Sequence, residues 1–327
     1  MDWRCVMINK VLWLLLIAVA LYSPFTGSAA LHLNDLLTAD ALSQRIFFEL
    51  RLPRVIFAFL AGMILSLGGL LFQTLFRNPL MTPYTLGISS GAVFGAGIAI
   101  ILGMGSLAFG IAAITLFGFA GAMLTVLLLI WLSRYVKEAQ GTSLLLLGIA
   151  LSLFYAASLM MLFYLGDAVQ NDMLIRFTMG SLSVIGYQMP LLLLIAAALL
   201  LGMLWRYRYE LQLIAISEDH ARLKGVNTKG LTLLLLGVAS FSVGVLVSLS
   251  GPIGFIGLIV PHIVVKLYPI VLHRRILPTA LFGGLFLVLC DTIARTLNTQ
   301  SELPIGIVTA FIGGPFFIYL IIKRSRR

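Results

Sequence analysis

Few side chains in this 327-residue chain have the type and spacing to make or break bonds. Its histidines, His32, His220, His262 and His273, are scattered and no His-Glu-x-x-His pair occurs, so no metal-holding signature is present. No Gly-Lys dipeptide occurs either, which removes the Walker A lysine that would grip nucleotide phosphates. Any energy drawn from ATP must therefore arrive through a partner, and no cofactor is expected in the chain itself. Gly87-Ile-Ser-Ser-Gly91 spells the hydrolase nucleophile elbow around Ser89, but that turn needs a strand before it, a helix after it, and an acid and a histidine nearby. Here it opens an apolar run in which Gly87, Gly91 and Gly95 fall four residues apart, a spacing that lets a second helix come close in lipid. We read these glycines as a packing stripe, with intramembrane hydrolysis as the rival.

Charged residues offer a second kind of chemistry. Asp291 lies well inside an apolar run, where an acid marks a proton or ion path, and Arg295 follows one helical turn later, where it can neutralise that acid as a structural pair. A proton-coupled carrier working through Asp291 is thus one function to test. Arg51 and Arg54 also stand one turn apart, at the mouth of an apolar run. With Arg295, they either reach lipid headgroups or meet an acidic partner. His262 follows Pro261, and is expected to bond a carbonyl that the proline frees rather than to bind a metal.

The elements that must position these residues are membrane helices. The chain is 61% hydrophobic and 10% charged, with a mean hydropathy of +1.08, outside the range of soluble globular domains. Apolar runs begin near Val11, Val55, Leu86, Ala108, Leu144, Leu191, Leu231, Gly257, Ala280 and Ile305. Each is long enough to cross the hydrocarbon core, which predicts an all-α integral membrane protein of roughly ten spans in a single transmembrane domain, 1–327. The formal charge of +10 could suggest nucleic acid, but its placement argues otherwise. If the helices alternate, Arg77, Arg134, Lys137, Arg206, Arg208, Lys224, Arg274 and Lys323 fall on one side, and only Arg45, Arg51, Arg54, Arg176 and Arg295 on the other. The positive-inside rule then puts both termini in the cytoplasm, and no nucleic acid is implied. A basic start, the run from Val11 and Gly27-Ser-Ala-Ala30 imitate a secretory signal, but the run can serve as a retained first span. Cys5 and Cys290 lie too far apart in this topology for a disulfide framework.

Two segments stand outside the spans. Residues 31–50 set Asp35, Asp40, Arg45 and Glu49 among spaced apolar residues, which predicts an amphipathic helix on the external face. The longest polar cytoplasmic segment, 206–229, contains Ile216-Ser-Glu-Asp-His-Ala-Arg-Leu-Lys-Gly-Val226. Ser217 suits an N-cap, Glu218 and Asp219 a first turn, and Gly225 a C-terminal stop, so a short capped helix is expected there. It is either a docking knob or a solvated connector.

Glycine and proline clusters interrupt the last apolar runs: Ser250-Gly-Pro-Ile-Gly-Phe-Ile-Gly-Leu-Ile-Val-Pro-His262, Glu302-Leu-Pro-Ile-Gly306 and Gly313-Gly-Pro-Phe316. Broken helices are tolerated at membrane depth only inside protein or along a water-filled path. Together with Leu50-Arg-Leu-Pro-Arg54 and Phe76-Arg-Asn-Pro-Leu80, these motifs resemble the permease subunits of type II ABC importers for iron chelates, heme and cobalamin, from about Arg51 to the C-terminus. The resemblance implies a homodimer in the cytoplasmic membrane of a bacterium or archaeon. It further implies two cytoplasmic ATPase subunits carrying the ATP, and a periplasmic or extracellular substrate-binding protein. By the same resemblance, Arg51, Arg54 and Arg295 would pair with glutamates of the binding protein, and Ser217, Glu218, Ala221 and Gly225 would form the coupling helix seated in the ATPase. The pathway would run between the fifth and tenth spans, with Gly141, Thr142 and Ser143 as the cytoplasmic gate. The transported chelate would be a ferric siderophore first, with heme, cobalamin or molybdate as alternatives. Two inverted halves, spans two to five and seven to ten, are also implied.

Overall fold

The computed structural model describes residues 3–27, 41–104, 112–133, 135, 141–269, 271–297 and 302–325. Backbone in lipid must satisfy its own hydrogen bonds, and the described residues do so as helices. Helix α1 (Trp3–Tyr22) ends in a 3-10 turn, Ser23–Phe25, and α2 (Ala41–Arg45) passes through a π turn, Ile46–Arg51, into α3 (Leu52–Leu75). Then come α4 (Ile88–Ile101), α5 (Ala113–Ser133), α6 (Gly141–Leu165), α7 (Ala168–Met179) and α8 (Gln188–Arg206). Short α9 (Arg208–Ile216) and α10 (Glu218–Leu223) precede α11 (Thr228–Ser250), α12 (Ile256–Leu267), α13 (Leu272–Thr296) and α14 (Ile305–Ser325). Among the described residues six helices are long and apolar enough to cross a membrane. Four shorter apolar ones, Trp13–Phe25, Ile88–Ile101, Ile256–Leu267 and Ile305–Tyr319, accompany them, which together are the ten apolar helices expected.

Helix α3 is the axis of the bundle. Phe57, Ile64, Leu67, Leu71 and Phe72 are buried along it, and it packs against α8, α11, α12 and α13. The closest approaches are made by glycines. A Cβ on Gly62 would strike the Gly283 carbonyl of α13, and one on Gly69 would strike the Gly257 carbonyl of α12, both closer than the 3.0 Å that real Cβ atoms respect. Between the first pair, Ser66 Oγ donates to the Thr279 carbonyl at 3.0 Å. The expected stripe on α4 divides in two. Gly91 and Gly95 meet Gly121, Thr125 and Phe117 of α5, whereas Gly87 precedes the helix with φ +78° and faces Gly148 of α6. Gly87 therefore sets the entry angle of α4 and is not part of its packed face.

Prolines free carbonyls, and the fold satisfies two of them from neighbouring segments. Pro53 cannot donate to the Glu49 carbonyl, which instead accepts from the Gly186 amide at 2.8 Å. Pro261 leaves the Gly257 carbonyl, and Gln73 Nε2 donates to it at 3.1 Å. The histidine reading is corrected by this contact: Gln73 takes the freed carbonyl, while His262 Nδ1 sits 2.8 Å from the Leu258 carbonyl of its own helix. Of the external amphipathic helix expected over 31–50, only the last ten residues can be followed. Residues 31–40 lie outside the described residues, and from Leu42 onward the chain forms one continuous run to Leu75. The π turn, not a loop, carries it across Pro53.

Helix α7 has no counterpart in the sequence reading, although its start was written there. Gln170 N donates to Asp167 Oδ1 at 2.8 Å and Asp167 N to Gln170 Oε1 at 3.0 Å, a reciprocal capping box. Beyond α7, Gly180 and Gly251 approach opposing backbone, and the Ser181 amide donates to the Ser250 carbonyl at 2.7 Å. Phe255 then opens α12 in a left-handed conformation, φ 66°, which is costly for a bulky residue. Its side chain fills the space left by Gly313 on α14.

Gly95→Ala is expected to force α4 from α5 and destabilise the bundle by about 1–3 kcal/mol. Gly202→Ala, where a Cβ would meet nothing within 4 Å, should leave stability unchanged or slightly raised. Thermal unfolding of the two purified variants in one detergent checks the contrast. Equal melting temperatures would mean that the stripe is not close-packed.

Candidate functional site

One end of the bundle gathers the charges that the sequence singled out. Asp291, in the last third of α13, is fully buried, and burial of a carboxylate demands compensation. Arg54, in the first turn of α3, supplies it: Nε and Nη2 donate to Asp291 Oδ1 at 3.1 and 2.9 Å. Arg295, four residues along α13, places Nε 3.0 Å from Asp291 Oδ2, close enough for an ion pair though not aligned as a hydrogen bond. The second arm of Arg54, Nη1, donates to Glu302 Oε2 at 2.6 Å. The end of α1 closes the cluster. Arg295 Nη2 donates to Ser23 Oγ at 2.6 Å and Nη1 to the Thr26 carbonyl at 3.1 Å, while Arg51 Nη1 reaches the Pro24 carbonyl at 3.3 Å.

This geometry bears on both readings of the charged residues. The pair expected between Asp291 and Arg295 is present and is joined by a second guanidinium. Both carboxylate oxygens are engaged, which favours structural pairing over a proton relay. Arg51 and Arg295 are buried and Arg54 is nearly so. The expectation of three guanidiniums presented to an acidic partner is thus met by side chains turned inward onto α1, α13 and the segment before α14. For Arg54 and Arg295 the cause is the buried acid at the helix interface, which both reach, whereas Arg51 turns to the Pro24 carbonyl. Ser89, the rival nucleophile, is buried in the first turn of α4 and preceded by turns, not by a strand. The elbow geometry is absent.

The opposite end carries the second site. Arg77 Nε donates to the Ile214 carbonyl at 3.3 Å, tying α9 beneath α3. Leu211 and Ile214 are the buried face of α9, a helix that the sequence reading passed over as polar loop. Ser217 then caps α10, its Oγ accepting from the His220 amide at 3.3 Å. Gly225, with φ +80°, closes it, and the Val226 amide returns to the Ala221 carbonyl at 3.0 Å. Glu218 is paired with Arg222 at 2.5 Å and accepts from Thr228 Oγ1 at 3.2 Å, so it braces α10 against α11. Ala221 is 0% exposed and faces the bundle. Four residues from Ser217, it lies on the inner side of a helix only six residues long. Its outward side is mostly charged, with Glu218, Asp219, His220, Arg222 and Lys224 exposed, and among them Leu223 is 85% exposed, with Ile216 at the end of α9 69% exposed. The sequence signal was Leu223 standing between Arg222 and Lys224 in a polar stretch. A cleft of about 510 Å³ opens beside them, lined by Tyr207, Glu210, Lys224, Asn227 and Leu231 among others.

The third expected site is the pathway. Helix α6 is the least buried of the six long spans, with Leu146, Leu153, Phe154, Met160, Met161 and Tyr164 exposed. Along α14, Phe311, Ile318 and Tyr319 are exposed as well. The side chains of Gly141 and Thr142 lie outside the described residues, and Ser143 is half-buried at the start of α6. Among the described residues no cluster of three or more His, Cys, Asp or Glu side chains could hold a metal ion.

The model of the FecCD transport family matches residues 14–323, nearly the whole chain. The chain belongs to the FecCD transport family. Within it, the hemin transport system permease HmuU of Yersinia pestis is 35% identical, over 97% of this chain and 95% of its own length. The vitamin B12 import system permease BtuC of Salmonella paratyphi A is 35% identical, over 96% and 94%. Among solved structures, a transporter described as of the metal-chelate type, in an inward-facing conformation, superposes with TM-score 0.84 at 30% identity, covering 97% of this chain and 99% of its own. This FecCD protein is accordingly a multi-pass ABC transport permease with the all-α fold of type II importers.

Asp291→Asn would leave Arg54 and Arg295 buried without their shared anion, and is expected to cost about 3–5 kcal/mol of stability. Yield of monodisperse protein and melting temperature report it. A variant that folds like the parent yet loses uptake driven by a pH gradient would instead restore the proton-relay reading.

Proposed function

We propose that this FecCD permease is the membrane subunit of a binding-protein-dependent ABC importer that brings a metal chelate into the cell, with a ferric siderophore as the first candidate substrate. Heme, cobalamin and molybdate are the alternatives. It works as a homodimer with two cytoplasmic ATPases and an external capture protein, with both termini in the cytoplasm. The observation that carries the reading is α10: a helix capped at both ends, braced by Glu218, that presents Leu223 to water beside Ile216 at the end of α9. Exposed leucine at 85% on a rigid knob is what a docking partner covers. Arg77 and α9 link that knob to α3, so a push at α10 reaches the bundle axis through hydrogen-bonded and packed elements.

Transport follows by alternating access. ATP binding closes the ATPases, displaces the α10 knobs and switches the path between α6 and α14. Among the described side chains of these helices, the large exposed ones are Leu, Ile, Met, Phe and Tyr, and none is charged. Such a lining suits a bulky chelate, because conduction requires weak sites. Selection of the chelate falls to the capture protein. A ligand screen on that protein, followed by ATP-dependent uptake into proteoliposomes, tests the substrate. Uptake of no chelate, or uptake without ATP, overturns the reading.

Leu223→Asp is expected to leave melting temperature unchanged, since the side chain touches water, while lowering ATPase affinity by about 2 kcal/mol, as expected of an anchor residue. Leu223→Cys should crosslink to the ATPase subunit, whereas a cysteine at the buried Ala221 should not. Parental coupling in Leu223→Asp would reduce α10 to a solvated connector.

A further inference from the structure

Helix α14 is lightly held for an element at the transport path. Ile307, Phe311, Ile318 and Tyr319 are exposed along it, and its main neighbours are α7, α12 and α13. Its first turn and the three residues leading into it are fixed at three points. The Leu303 amide donates to the Ala294 carbonyl at 3.3 Å, Gly306 lies against the Met179 and Pro252 carbonyls, and Glu302 accepts from Arg54 at 2.6 Å. The third differs in kind. The Glu302 side chain is 48% exposed and that of Arg54 is 12% exposed, so water reaches this bond. On its other edge Arg54 keeps Asp291, which is buried. Losing Glu302 therefore strands no charge: the carboxylate returns to water and the guanidinium keeps a partner. Breaking the Asp291 side instead would leave a buried anion, so only the Glu302 side can open and close cheaply.

We propose that Glu302 is a positioning residue for transport: its bond to Arg54 holds the outer end of α14 against α3, and opening this one bond frees that end to move. The role in transport rests on the importer reading, whereas the clasp itself does not. Spin labels at Ile56→Cys on α3 and Ile307→Cys on α14, in a Cys5→Ala, Cys290→Ala background, measure it in the full permease in nanodiscs. With Glu302→Gln, the population with a longer label distance should rise about two- to five-fold, the bias an ion pair this exposed can exert. Melting temperature should stay at the parental value. With the ATPases bound, hydrolysis in the absence of capture protein should rise by a similar factor. High ionic strength applied to the labelled parent should reproduce the distance shift by screening the pair, which keeps the idea testable if the variant folds poorly. A parental distance distribution in Glu302→Gln, or in the parent at high salt, overturns the clasp. A shifted distribution in a protein that couples to no ATPase would uphold the clasp and sink the importer reading.

Discussion

Lipid gives apolar helices little reason to associate, so a membrane bundle holds where backbones touch. Here that contact is made by α3, which omits side chains at Gly62 and Gly69 and lets α13 and α12 come against it. The two approaches lie two turns apart on one helix, and they set how near α13 and α12 come to it. Ser66 secures the same face through the Thr279 carbonyl. Everything charged depends on this seating. Asp291 stands about two turns beyond Gly283 on α13, and Arg54 two turns before Gly62 on α3, so the antiparallel glycine contact delivers acid and base to the same height.

The charge cluster in turn decides how the ends of the molecule are attached. Three guanidiniums and two carboxylates meet there, and α1 contributes hydroxyl and carbonyl oxygens in place of further acids. Clusters of this kind add little net stability over apolar packing, but each member is costly to orphan. They therefore specify which segments meet rather than how strongly. At the other end the chain uses a different device: a short helix that buries a single alanine and sets one exposed leucine among charged residues.

Much of this was legible in the sequence. The ten apolar helices follow from run length, and the capping of α10 follows from Ser217 and Gly225 at the right spacing. The Asp291–Arg295 pair follows from helical periodicity alone. The identity of the third partner did not, because Arg54 lies 237 residues from Asp291 and nothing local links them. Similarly, the direction in which Ala221 faces depends on where α9 and α11 hold α10, which no window of sequence encodes. Helix α9 was hidden by its charges, although Leu211 and Ile214 sit three apart on a face that only the bundle makes buried. The capping box of α7 was visible and passed over, since a helix of 12 residues between two long spans is not demanded by hydropathy.

The separation of Arg54 from its acids has a consequence for biosynthesis. Chains emerge from the ribosome at about 5–20 residues per second. Asp291 follows Arg54 by 237 residues, so Arg54 waits on the order of ten to fifty seconds for its buried partner. During that interval α3 is already inserted with Arg51 and Arg54 at its rim, where long side chains can reach the headgroups and hydrate. Helix α13 and the segment before α14 thus arrive carrying the counter-charges that draw Arg54 inward. The nascent bundle stays open along α3 until α13 docks, and closure of the permease is an event of late translation, timed by the distance along the messenger between two ionised residues.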